Sequence, residues 1–153
     1  MTLMLRYFIV FAFGALVPAL SLAGEAEVAV EKQWARASIG TARPAAAYLT
    51  IRNAGDQPVS LTGLRSKVAG KAEVHASTTG ANGVSTMAPA GDIEIAPGEA
   101  VTLEPGGLHI MLMNLTAPLT EGGVVPLVLE FEDGTEVTVE IPVLGIGARG
   151  PAS

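Results

Sequence analysis

Short segments of alternating apolar and polar residues, separated by glycine, proline, asparagine and aspartate, fill the chain from Glu25 onward. The sequence contains 18 glycines and 10 prolines, and turn residues recur between candidate strands at spacings of about 8–12 residues. No segment carries the 3.6-residue apolar period of a helix for more than a turn or two. The pattern therefore predicts an all-β domain, folded as an antiparallel sandwich or barrel.

Two turn sequences predict hairpins within this domain. The acidic turn at 132–135, Glu-Asp-Gly-Thr, is typical of a hairpin and joins predicted strands at 124–131 and 136–143. The segment 80–83, Gly-Ala-Asn-Gly, predicts a second hairpin connection. The remaining predicted strands are Val28–Glu31, Ala45–Arg52, Val59–Leu64, Ala72–Ser77, Ile93–Ile95, Val101–Leu103 and Leu108–Leu115.

Residues 1–23 are predicted to be a secretory signal peptide. One arginine precedes an apolar run at 7–20, and small residues lead to a cleavage site after Ala23. A retained membrane anchor is the alternative, but a glycine and a proline interrupt the run, which is short for a full span. We therefore expect a periplasmic protein without stable membrane insertion, with a mature domain over 24–144 and a flexible tail over 145–153.

The charge and the cysteine count narrow the possible functions. Removal of the leader with its one arginine leaves 8 basic residues against 15 acidic ones, a net charge of −7. An acidic surface disfavours nucleic acid and anionic lipid, and suits a protein that carries cations. The chain has no cysteine, so it can form neither a disulfide nor a blue-copper centre, which needs a thiolate.

The histidines and methionines of the predicted mature chain all lie between Val74 and Met113. Imidazole and thioether without a thiolate form a soft ligand set, which selects Cu(I) over harder divalent ions. Residues two apart on a strand face the same side about 6.5–7 Å apart. His109 and Met111 can therefore approach one ion while the intervening residues point into a core. The histidines and methionines of the predicted mature chain are His75, Met87, His109, Met111 and Met113.

Each of these residues also has a purely structural interpretation. A single histidine on a strand is more often a surface or hydrogen-bonded residue, and a strand methionine is more often core. For Met113, packing and copper binding are equally open. Glu73 is more often a solvated charge than a ligand, and Trp34 is predicted to lie in the core or to cover a strand end.

Signatures of enzymes are absent from the sequence, so we predict that the protein is not an enzyme. It contains no GxSxG, no HExxH and no phosphate-binding glycine loop. Two histidines cannot build a three-histidine zinc site. A hydrolytic site with two histidines would need a carboxylate such as Glu73, and nothing in the spacing favours it.

The segment GGLHIMLMNL at 106–115 resembles the signature of periplasmic copper chaperones of the PCuAC type. In that family a histidine, a methionine and a His-x-Met pair follow one another along the chain. The segments WARAS at 34–38, AAAYLTIRN at 45–53 and EFEDGTEVTVEIPV at 130–143 are similar as well. The chain departs from the family at Ser85, where another methionine is common, and just after the first histidine.

The resemblance implies a fold, a ligand set and a function. The fold is a Greek-key, cupredoxin-like β-sandwich or barrel. The metal that it carries is Cu(I), and whether it also binds Cu(II) stays open. The implied acceptors are the copper subunit of cytochrome c oxidase and a Sco-type thioredoxin-fold protein. We expect a monomeric chaperone that transfers copper and binds no nucleic acid. The implied ligands are His75, Met87, His109 and Met111.

Two other functions stay open from the sequence. The first is a metal-free exported β-sandwich that binds a protein partner through its strand edges, with the methionines as an adaptable contact surface. The second is a copper redox enzyme or electron carrier, against which the absence of cysteine argues.

Overall fold

The computed structural model describes residues 27–151, and within this range the regular secondary structure is entirely β. The all-β prediction is confirmed, while the predicted signal peptide lies outside the described residues. No helix in this range is long and apolar enough to cross a membrane. The ten strands are β1 (Val28–Arg36), β2 (Ala45–Asn53), β3 (Val59–Arg65), β4 (Ala69–Thr79), β5 (Ser85–Pro89), β6 (Ile93–Ile95), β7 (Ala100–Leu103), β8 (Leu108–Leu115), β9 (Val124–Phe131) and β10 (Glu136–Leu144).

Seven of the strands close into a barrel. Their order is β4-β8-β2-β1-β10-β9-β3, and β3 pairs back to β4 through Leu64 and Ala72. Neighbouring strands are antiparallel except for β1 and β10, which run parallel. Strands distant in sequence are neighbours, as in the predicted Greek-key arrangement. β5 adds to the edge of β4, β6 adds to β3, and β7 pairs with β2.

The core lies inside this barrel and follows the period of two along the strands. On β8, Ile110 and Leu112 are fully buried, whereas Met111 and Met113 are only partly buried. On β4, Ala72 and Val74 point inward, and the residues between them face outward. The other fully buried large apolar side chains are Leu49, Ile51, Ile95, Leu127, Leu129 and Ile141.

Both predicted hairpins are confirmed. In the β9–β10 turn, Gly134 has a φ of 85°, and the Asp133 carboxylate accepts a hydrogen bond of 2.8 Å from the backbone N–H of Thr135. In the β4–β5 turn, the backbone N–H of Gly80 donates to the carbonyl oxygen of Val84 at 2.9 Å. These short-range bonds fix the strand register, and the β4–β5 hairpin carries two of the predicted ligands.

Three segments differ from the expected strands or add contacts to them. β1 extends to Arg36 through a bulge at Lys32, whose φ of 54° shifts the register. The hairpin at 80–83 implies a strand after it, but the bounds of β5 were not predicted, because its five residues are all exposed and show no alternation. In the predicted tail, Ala148 accepts a hydrogen bond of 2.8 Å from Nε of Arg36, and the flexibility of 145–153 stays a prediction.

Candidate metal centre

Strands β4 and β8 pair so that the two histidines lie directly opposite each other. His75 is the cross-strand partner of His109, and two residues further along the strands Glu73 is the partner of Met111. Side chains directly opposite in an antiparallel pair share one face. Because Val74 and Ile110 are buried in the core, these four side chains lie on the outer face of the barrel. The predicted outward direction of His109 and Met111 is thus what the fold adopts.

The edge strand β5 extends the same face. His75 is opposite Pro89, and Ser77 is opposite Met87, so Met87 lies on the face of His75, one pair further along. The side chain of Met87 is 61% exposed. Strands β5, β4 and β8 therefore bring all four predicted ligands to one face, with Met87 and Met111 on opposite sides of the histidine pair. We call this face the His/Met face.

Met113 also lies on the His/Met face, but further from the histidines. Its cross-strand partner is Lys71, one pair beyond Met111. The side chain is partly buried. This position suits packing on the outer face better than contact with an ion held between His75 and His109.

A turn before β8 fixes the orientation of His109. β7 and β8 both pair with β2, through Leu103 with Leu49 and through Ile110 with Ala47. Only one residue of β2 lies between these two pairs. The segment between β7 and β8 is longer, so it loops out and returns through Gly106, which has a φ of 87°. Such bulges re-aim side chains. Here the loop ends just before His109.

The two rings of the histidine pair have their centroids 6.2 Å apart, tilted by 52°. Nδ1 of His109 lies 3.0 Å from the carbonyl oxygen of Gly107. Since a carbonyl only accepts, Nδ1 carries the proton and donates. The same carbonyl accepts from the backbone N–H of Ser77 at 3.2 Å. In the neutral ring, Nε2 is then left with its lone pair free.

Within the part of the chain that the structure describes, Nε2 of His109 has no hydrogen-bond partner. His109 is 4% exposed, and its Nε2 is buried without a partner. A buried polar atom without a partner costs about 1–3 kcal/mol. An imidazole whose other nitrogen donates to a backbone carbonyl is the usual state of a metal-bound histidine. The residues present therefore fit a soft metal ion at Nε2 of His109.

Glu73 links the His/Met face to a lysine. Its Oε1 accepts from Nζ of Lys71 at 2.7 Å, and its Oε2 lies 3.4 Å from Nε2 of His75. The hydrogen bond from Lys71 lowers the pKa of the Glu73 carboxyl against a smaller opposing effect of desolvation, and the contact with His75 also lowers it. The carboxylate is therefore ionised at neutral pH. Sequence reasoning set Glu73 aside as a solvated charge, although its spacing of two from His75 was a usable signal.

An aromatic pair lies on the neighbouring strands β1 and β2. The rings of Trp34 and Tyr48 are 4.4 Å apart, and the Arg36 guanidinium lies 5.8 and 5.5 Å from the two rings. Trp34 is buried, as predicted. Burial raises the pKa of the Tyr48 hydroxyl, partly opposed by the Arg36 charge. Tyr48 follows Ala47, the last residue of β2 that pairs with β8, so the pair packs near the start of β8.

Carboxylates and imidazoles alone do not form a ready-made site. Among residues 27–151, no three histidine or acidic side chains are already grouped so that they could hold a metal ion. Any site on the His/Met face that uses the present side-chain positions therefore depends on the thioethers, as the soft-ligand prediction requires.

Comparison with known sequences identifies the family. The family described as "Putative lipoprotein LpqE-like" matches residues 28–143. The protein "Putative lipoprotein Lxx21020" of Leifsonia xyli subsp. xyli is 37% identical over 117 residues, which cover 76% of this chain and 69% of the relative.

Comparison with solved structures identifies related domains. The copper-bound PCuAC domain from PmoF2 is 27% identical with a TM-score of 0.65, and the match covers 77% of this chain and 92% of that domain. The Cu(I)-bound DR1885 from Deinococcus radiodurans is 31% identical with a TM-score of 0.54, covering 75% of this chain and 78% of that one. Apo-DR1885 is 28% identical with a TM-score of 0.60, covering 95% and 97%. The resemblance to the PCuAC type and the cupredoxin-like fold are confirmed.

Proposed function

We propose that this chain, which belongs to the LpqE-like family, is an exported copper chaperone that holds Cu(I) on its His/Met face. The observation that carries the proposal is the buried Nε2 of His109, which finds no hydrogen-bond partner among residues 27–151, while Nδ1 is engaged by the carbonyl of Gly107. Similar PCuAC domains hold copper. The relative from Leifsonia xyli is named as a lipoprotein, which supports export, and we place the function in the periplasm.

The proposed ligands are His75, Met87, His109 and Met111. The histidine pair is rigid, because both residues lie within the paired region of β4 and β8. The thioethers flank this pair from opposite sides. Met111 lies opposite Glu73, before His75 on β4, and Met87 lies opposite Ser77, after it. Two imidazoles and two thioethers are a ligand set that favours Cu(I), and none of these groups is consumed by oxidation to a disulfide.

The exposed position of Met87 suggests how copper would leave. This side chain is on an edge strand and 61% exposed, so an incoming ligand of an acceptor can displace it first. The ion then passes between proteins without release into solution, which makes the proposed activity transfer and not catalysis. The proposed acceptors are the copper subunit of cytochrome c oxidase and a Sco-type thioredoxin-fold protein.

The test is a titration of the mature protein with Cu(I) in competition with a chromophoric chelator. We expect one equivalent to bind with a dissociation constant on the order of 1 μM or tighter. The double variant His109→Ala with Met111→Ala should lose this binding, and Val84→Ala, an exposed apolar residue in the nearby turn, is the matched control. Weaker binding by the wild type, or equal binding by the double variant, would refute the proposal.

One observation favours a second function. Among residues 27–151, no strand pairs with the outer edge of β5, and both Val84 beside it and Met87 on it are exposed, which suits a partner that adds a strand there. The two functions are separated by the copper content of the protein purified from copper-supplemented periplasm. Stoichiometric copper supports the chaperone, and copper-free protein supports the interaction module.

A further inference from the structure

We infer that Glu73 is an alternative ligand to Met111, so that the His/Met face holds Cu(II) through His75, His109 and Glu73. Cu(I) would instead use the same histidines with the thioethers. The inference rests on the proposed function and deepens it, because it assigns a second oxidation state of the cargo to the same face.

The geometry places a carboxylate and a thioether on the same flank of the histidine pair. Glu73 and Met111 are direct cross-strand partners, and both lie two residues from the histidine of their own strand. Met87 approaches from the other flank. An ion held between the two imidazoles therefore meets a hard donor and a soft donor on one side, and it can use either.

The chemistry of copper would decide between these two donors. Thioethers suit Cu(I), whereas Cu(II) prefers nitrogen and oxygen ligands. Two imidazoles with one carboxylate oxygen make such a nitrogen and oxygen set. No electron transfer is involved, since each oxidation state binds as it arrives.

Glu73 is close enough to exchange partners. Its Oε2 already lies 3.4 Å from Nε2 of His75. Its Oε1 is held by Lys71 at 2.7 Å, but the two side chains are 57% and 30% exposed, and exposed ion pairs are weak. The acidic and imidazole groups of residues 27–151 form no preassembled site, so Cu(II) binding requires Glu73 to turn away from Lys71. Lys71 thus competes with Cu(II) for the carboxylate.

The experiment measures the affinities of the mature protein for Cu(II) and for Cu(I) at pH 7.5. We expect Glu73→Gln to weaken Cu(II) binding about tenfold or more and Cu(I) binding less than about threefold, which raises the reduction potential of the bound copper by about 59 mV per tenfold difference. Met111→Leu should show the opposite selectivity. Lys71→Gln should strengthen Cu(II) binding, and Glu94→Gln, an exposed glutamate on β6, is the matched control.

Each result supports or overturns the inference. Partial recovery of Cu(II) affinity in Glu73→Asp relative to Glu73→Gln, and a change in the Cu(II) electron paramagnetic resonance spectrum in Glu73→Gln alone, support it. Equal Cu(II) binding by Glu73→Gln and Glu94→Gln overturns it, as does a wild type that binds no Cu(II). In both cases the proposed function survives if Cu(I) still binds, whereas loss of Cu(I) binding by the wild type would refute the proposed function itself.

Discussion

Two cross-strand pairs on the outer surface of the same barrel differ in whether the fold supplies a partner for their polar atoms. On β9 and β10, Glu130 and Glu136 lie directly opposite each other, and like charges so placed repel. The chain supplies the missing cation itself, because Arg65 of β3 donates to both carboxylates at 2.6 Å. On β4 and β8, His75 and His109 lie opposite each other, yet none of the described residues forms a hydrogen bond with Nε2 of His109.

The difference separates a structural pair from a binding pair. Arg65 bridges the two glutamates and offsets half of their charge, so this pair has a partner within the fold. The histidine pair contains a buried nitrogen to which no described residue forms a hydrogen bond. Thioethers flank the pair on both sides. A protein stabilises an unsatisfied group of this kind by binding something there. The following predictions test whether that distinction holds.

The largest effect is expected at His109. Replacement of His109 by alanine removes the buried Nε2, for which residues 27–151 supply no hydrogen-bond partner, and with it the proposed ligand. Loss of a residue that only orients a metal ligand costs about 10–100-fold in affinity, so loss of the ligand itself should weaken Cu(I) binding by at least about 100-fold. The measurement is competitive Cu(I) titration, with circular dichroism to verify folding. A folded variant with wild-type affinity would mean that the free nitrogen serves another purpose.

The two thioethers should differ in a measurable way. Met111 is partly buried on a central strand beside His109, whereas Met87 is exposed on the edge strand. The Met111 side chain therefore loses little conformational freedom when Cu(I) binds, whereas the Met87 side chain loses more. We expect Met111→Ala to lower Cu(I) affinity more than Met87→Ala, by about tenfold, and Met87→Ala mainly to speed transfer to an acceptor or chelator. Stopped-flow transfer rates beside equilibrium titrations separate these effects. The reverse order would contradict the assigned roles.

Met113→Ala tests the boundary of the binding pair. This side chain is opposite Lys71, beyond the row of Glu73 and Met111, and only partly buried. The variant should lose about 1 kcal/mol of stability, less than a fully buried methionine would, and keep its Cu(I) affinity. Chemical unfolding and Cu(I) titration of one preparation give both numbers. If Met113→Ala loses copper and Met111→Ala retains it, the ion sits one pair further along β8 than proposed.

The smallest effect is expected from the glutamate pair that Arg65 bridges. Hydrogen bonds to Glu136 and Glu130 raise the pKa of Arg65 above its ordinary value, so the guanidinium is charged throughout the accessible pH range. Because the folded-state pKa is raised, the contribution of this ion pair is fully present at neutral pH and is lost only as the pH rises through that raised pKa. Arg65→Gln should lower the thermal midpoint by no more than about 4 °C at pH 7. The difference should shrink in high salt, because salt screens exposed charges, and Cu(I) affinity should be unchanged. A thermal shift that persists undiminished in high salt would point to lost packing instead of lost charge.

Local features of the sequence determined much of this protein. The turns at 80–83 and 132–135 predicted both hairpins, because tight-turn chemistry acts between neighbouring residues. The period of two predicted that His109 and Met111 share a face and that Ile110 and Leu112 are buried, since side-chain direction alternates along any strand. The soft ligand set is also a matter of composition, read from two histidines, three methionines and no cysteine in the predicted mature chain.

Only the tertiary structure decided which of these residues meet. Strands β4 and β8 are separated by 28 residues, 80–107, and their pairing, which places His75 against His109 and Glu73 against Met111, depends on closure of the whole barrel. The exposed strand β5 exists because β4 offers it an edge, not because of its own sequence pattern. The unsatisfied Nε2 of His109 arises from burial by neighbouring elements and from the carbonyl of Gly107. The local backbone sets the direction of each side chain. Long-range packing decides which side chains become neighbours and how deeply they are buried. Those contacts and that burial turn a set of soft donors into a candidate copper site.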